Sequence, residues 1–74
     1  MESYKERMKN EYNELKVRYY KLSNMINKHY NNELDFVLTC PITVLESQLH
    51  IMAAYLSILE YRAELEGFDI DEGD

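Results

Sequence analysis

PITVLESQLHIMAAYLSILEYRAELE, residues 41–66, decides the fold. Two apolar stripes run side by side along it. Leu45, Leu49, Met52, Leu56, Leu59 and Ala63 alternate four and three residues apart, a heptad seam. Val44, Gln48, Ile51, Tyr55, Ile58, Arg62 and Leu65 form a second stripe one residue over, about 100° around a helix axis. Together the stripes wrap well over half of the cylinder. One antiparallel neighbour hides only about one stripe, so this helix asks for more than one partner surface.

The flanks set its ends. Thr39-Cys40-Pro41 is a start signal, because proline is tolerated in a first turn and pushes the residue before it out of helix. Thr43 and Glu46 have capping-box spacing one turn later. Gly67 is the expected left-handed stop. Beyond it, Asp69 to Asp74 holds four acids, and residues 68–74 read as a flexible acidic tail.

Upstream, Met8, Tyr12, Leu15, Tyr19, Leu22 and Ile26 repeat the seam spacing and predict a first helix over 3–29. Ser3 with Glu6 is a capping box. Asn27, Asn31 and Asn32 weaken that helix at its end, since asparagine competes for backbone hydrogen bonds. Residues 30–39 are an extended connector in which Leu34 and Phe36 are expected to plug the open end. The second helix is then 41–66. The expected fold is all-α: an antiparallel two-helix hairpin over 1–67 that assembles into a homo-oligomeric helical bundle. A lone core of this size supplies only a few kcal/mol, and the single cysteine allows no internal disulfide to add to it.

Composition narrows the function classes. With 46% hydrophobic and 30% charged residues in 74, the chain is neither a disordered tail nor a low-complexity repeat. No uninterrupted apolar run approaches twenty residues and no basic-then-apolar leader opens the chain, so the expectation is a cytoplasmic protein with no membrane partner. Net charge is −6, split unevenly: residues 1–32 carry seven Lys/Arg against four Glu, whereas residues 33–74 carry Arg62 against ten acids. A basic first segment leaves room for an acidic ligand; it also complements the acidic half if the chain folds back. Basic residues mixed with Glu6, Glu11 and Glu14 argue against a duplex-DNA binder.

Catalytic and metal chemistry find little purchase. His29, His50, Cys40 and Glu46 do not form a ligand set, Glu46 and His50 being two on one turn without a third. There is no phosphate loop, zinc-protease motif or nucleophile elbow. The expectation is no enzyme, no cofactor and no metal.

Polar groups on the second stripe carry the ligand-binding expectation. Gln48, Tyr55 and Arg62 recur every seven residues on an otherwise apolar face. In a hairpin closed near 34–38, Glu11 falls opposite Arg62 and Arg18 near Tyr55. Two readings stand open. One is a satisfied polar ladder that fixes register. The other is a pocket between subunits, with Arg as a bidentate fork for phosphate and Tyr as a stacking ring. In the second reading Arg18, Lys21 and Arg62 pair with phosphates, Tyr19, Tyr20 and Tyr55 stack or bond bases, and Gln48 reads an edge.

The pattern Tyr4-x-x-Arg7, Glu11, Glu14-Leu15, Lys21-Leu22, then Leu45, Gln48-Leu49, Met52, Tyr55, Leu59, Arg62 resembles a family of small tailed-phage helical-hairpin proteins related to a crAss-like phage protein. In size and layout, though not in a shared motif, the chain is also similar to phage sponges that hold cyclic-nucleotide or cyclic-ADP-ribose immune signals between subunits. These resemblances imply a non-catalytic, oligomeric counter-defence protein in the host cytosol that sequesters a small nucleotide. The alternatives are a helical module that docks on a host or phage protein, and an acidic mimic of nucleic acid.

Overall fold

Ser3 opens the first helix as expected: its Oγ accepts the Glu6 backbone N–H at 3.2 Å. The computed structural model describes residues 3–71. They form α1 (Tyr4–Tyr30) and α2 (Ile42–Leu65), packed as an antiparallel hairpin about 43 Å long. Among the described residues there is no strand. Pro41 is the residue that flanks α2 rather than its first turn, with φ −60° and ψ 143°. No side chain caps α2, so the Thr43–Glu46 box does not form. Glu46 is instead taken by α1: its carboxylate accepts the Tyr30 hydroxyl at 2.5 Å.

Both helices end in the same way. After α1, Asn32 sits in the left-handed region at φ 57°, its N–H donates to the His29 carbonyl, and the Glu33 N–H donates to the Lys28 carbonyl. After α2, Gly67 takes φ 78°, its N–H donates to the Glu64 carbonyl, and the Phe68 N–H donates to the Ala63 carbonyl. This pair of bonds is the Schellman arrangement, which satisfies carbonyls that the last turn leaves without a helical partner.

The core is small. Met8, Tyr12 and Leu15 of α1 pack with Leu59 and Ala63 of α2, with Met52 and Leu56 at the margin. Leu59 is fully buried, at 0% exposure. Ile26 is buried further along, while Tyr19 and Leu22 are half-buried. The seam through Leu45 and Ala63 is therefore the one that faces α1. The second stripe faces away from it.

Two further expectations are corrected. Residues 68–71 do not hang free: Ile70 is buried in the core cluster at 5% exposure and Phe68 packs against it. The chain turns at Gly67 and lays these side chains across the end of the hairpin, under Lys5 and Lys9, whose ammonium groups lie 5.5 and 5.7 Å from the Phe68 ring centre. Burial of two apolar side chains outweighs the repulsion of the acids beside them, and Lys16 pairs with Asp71 at 2.8 Å. The rest of the predicted tail, residues 72–74, lies outside the described residues. The second correction is at the other end, where Leu34 is half-buried but Phe36 remains largely exposed and only lines a shallow hollow.

Candidate functional site

The outer face of α2 is the most unusual surface of the hairpin. Ile51 is 69% exposed, Ile58 55% and Tyr55 42%, with Val44 and Leu65 open beyond them. Gln48 and Arg62, both exposed, interrupt this apolar row at one position on each side of Tyr55. By length and composition alone, α2 is also long and apolar enough to cross a membrane. Glu46, Gln48 and His50 break any continuous apolar run, yet the average along the helix stays high because two stripes rather than one are apolar.

Tyr12 and Glu60 fix the flanks. The Tyr12 hydroxyl donates to a Glu60 carboxylate oxygen at 2.6 Å, which marks one side of the α1–α2 seam and sets the register. Burial, and then the Glu60 carboxylate, raise the Tyr12 phenol well above its ordinary value. Tyr20 belongs to this flank, one turn after Lys16 in α1 and only about 40° around the axis from it. Arg18 lies two residues from Tyr20, about 200° around the helix, and so faces the opposite flank. On α2, Gln48, Tyr55 and Arg62 fall on that same opposite flank, since each is rotated by about 120° or more from Glu60. The register puts Arg18 level with Ala54 and Tyr55.

The predicted site residues therefore divide. Arg18, Gln48, Tyr55 and Arg62 share one broad side of the hairpin. Lys21 lies further round on α1 and borders, with Arg18, Val17, Asn13 and Glu14, a shallow depression of about 460 Å³. Tyr19 is half-buried in the seam and meets Tyr20 edge-on, ring centres 5.4 Å apart, while Tyr20 itself points to the other flank. Glu11 and Arg62 lie at similar heights but are both exposed, and among the described residues no ion pair joins them.

A slightly larger hollow, about 480 Å³, lies at the closed end of the hairpin, lined in part by His29, Leu34, Phe36, Cys40 and Pro41. It contains none of the predicted site residues. Among the described residues no group of three His, Cys, Asp or Glu side chains is placed to hold a metal ion. Sequence reading missed the Phe68–Ile70 pair, although two apolar residues alternating with aspartates after a glycine stop were a visible signal. Their position shows that Lys5, Lys9 and Lys16 of the basic first segment are engaged within the chain.

No curated protein and no solved structure matches this chain. One family model does, over residues 2–65, which takes in both helices and the connector and stops before the Gly67 turn. The chain belongs to the Sequestin family.

Proposed function

We propose that this protein is a non-catalytic sequestering protein that binds a small phosphate-bearing nucleotide signal, of cyclic dinucleotide or cyclic ADP-ribose type, between subunits. The observation that carries the proposal is the outer face of α2, an exposed apolar row that a single hairpin leaves open, with Gln48, Tyr55 and Arg62 spaced along it. Covering that face with another subunit would place a guanidinium, an amide and a phenol ring in a partly desolvated seam. Charge-assisted bonds to phosphate are strongest there. The family name, which denotes sequestration, supports the same reading. In an infected cell such a protein would act in the host cytosol as a phage counter-defence factor, lowering free signal by stoichiometric binding without any reaction.

A second reading, docking on a different protein, is favoured by the same apolar face. The acidic-mimic reading has less to stand on, since Glu46, Glu60 and Asp71 are each held by a residue of α1.

Calorimetry with a panel of cyclic dinucleotides and cyclic ADP-ribose isomers tests the proposal. Saturable heat with at least one member, lost in Arg62→Ala while helicity is retained, supports it. No heat with any member at high protein concentration overturns it. In that case a chain that is monomeric by light scattering and captured by one host protein supports docking instead.

A further inference from the structure

The exposed stripe of α2 reads the same from either end. From Tyr55 outward, its members are Ile51 and Ile58, then Gln48 and Arg62, then Val44 and Leu65: apolar, polar, apolar on both sides. A stripe with that order is self-complementary under a two-fold rotation, which is the requirement for an isologous pair. We propose that two copies pair through antiparallel α2 helices about a two-fold axis at Tyr55, so that Arg62 of each chain meets the partner's Gln48. This rests on the sequestering reading only for the ligand; the pairing itself stands on the stripe.

One register satisfies every position. Ile51 lies opposite the partner's Ile58, Val44 opposite the partner's Leu65, Gln48 opposite the partner's Arg62, and Tyr55 beside the partner's Tyr55. Ala54, next to the axis, leaves room for the two tyrosine rings at an ordinary helix–helix distance. A parallel pair on the same stripe would set Arg62 against the partner's Arg62, two like charges in a desolvated seam. Charge thus selects the antiparallel arrangement. Given the exposures of Val44, Ile51, Tyr55, Ile58 and Leu65, pairing hides on the order of 1,000 Å² in total, where specific interfaces begin.

The pairing also says where the ligand goes. Arg62 has five N–H donors, and one glutamine carbonyl oxygen takes only part of them. The remaining donors are free for an anionic oxygen, and the glutamine N–H₂ is free beside them. Two such places arise per pair, each about 10 Å along the axis from Tyr55, so that the site is incomplete in a single chain. The expected stoichiometry is one ligand per chain, two per dimer.

Cross-linking of the full chain decides it. Cys40→Ser first removes the native thiol, and single cysteines then replace Tyr55, Gln48 or Arg62, all at exposed positions. A short bismaleimide is added to each without nucleotide. The Tyr55→Cys chain is expected to shift to dimer mass. The Gln48→Cys and Arg62→Cys chains are expected to stay unlinked alone, because each position lies about 21 Å from its own copy, and to link when mixed. Self-linking of Gln48→Cys would mean a parallel pair and would overturn the proposal. So would the absence of linking at all three positions, whether scattering then shows a monomer or an oligomer built on another face. Flotation of the unlinked protein with phosphatidylcholine–phosphatidylglycerol vesicles would assign the stripe to lipid, with the same consequence. If linking follows the expected pattern but calorimetry is silent, the pairing holds and the nucleotide reading fails. If nucleotide binds without that pattern, the pairing fails alone.

Discussion

Ile58 and Leu59 are neighbours in sequence with opposite surroundings, and truncating each to alanine measures what covers the outer face of α2. Both changes delete three carbons. At about 0.8 kcal/mol per buried carbon, a fully buried site loses about 2.4 kcal/mol, plus a cavity cost that brings Leu→Ala to about 3–5 kcal/mol. Leu59, at 0% exposure, is such a site in the single hairpin. Ile58 is 55% exposed there, so its truncation costs only about 1.1 kcal/mol in an isolated chain. If a second copy covers it, the remaining ~1.3 kcal/mol per chain is lost on association, ~2.6 kcal/mol per dimer. That is on the order of an 80-fold weaker dimer dissociation constant. Sedimentation over a concentration series, with urea unfolding followed by circular dichroism, reads both quantities. Leu59→Ala should lower stability at every concentration. Ile58→Ala should chiefly shift the monomer–dimer midpoint. An Ile58→Ala protein that associates like the parent, or a parent that is a stable monomer throughout, would refute the reasoning.

Gly67→Ala should cost about 1 kcal/mol in urea unfolding, because a Cβ there meets nothing within 4 Å and only the left-handed φ of 78° is penalised. Gly67→Asn should recover part of that loss. Ile70→Ala should destabilise by about 2–3 kcal/mol, and hydrogen exchange should show the protection of residues 68–71 falling with it; no change would mean that the segment does not pack in solution. The raised phenol of Tyr12 contributes stability that is fully present below its ordinary value of 10.0 and is lost as pH rises toward the higher folded value. Tyr12→Phe should therefore flatten the fall in urea midpoint above pH 10.0, leaving the smaller contributions of Tyr4, Tyr30 and Lys16, which face Glu66, Glu46 and Asp71.

Much of this hairpin was legible in the order of its residues. Spacing at four and three gave both helices to within a residue or two, since a helix must bring such positions to one side. Ser3 and Gly67 marked a start and a stop because each solves a local backbone problem, an open N–H and a left-handed turn. The two stripes of α2 were visible as well. Which of them faces α1 was not, because periodicity fixes the angle between stripes and says nothing of what lies opposite. Only the packed structure decided it, turning the Leu45–Ala63 seam inward and leaving Ile51, Tyr55 and Ile58 open. The candidate site followed the same division. Its residue types were readable in the sequence, as was the half-turn between Arg18 and Tyr20, but which of the two lies on the side of Gln48, Tyr55 and Arg62 needed the flank that the Tyr12–Glu60 bond defines. The acidic end shows the limit most clearly: local charge reads as a solvated tail, whereas Ile70 is buried in a cluster that includes Met8, Tyr12 and Leu15, more than fifty positions earlier, which no local pattern records.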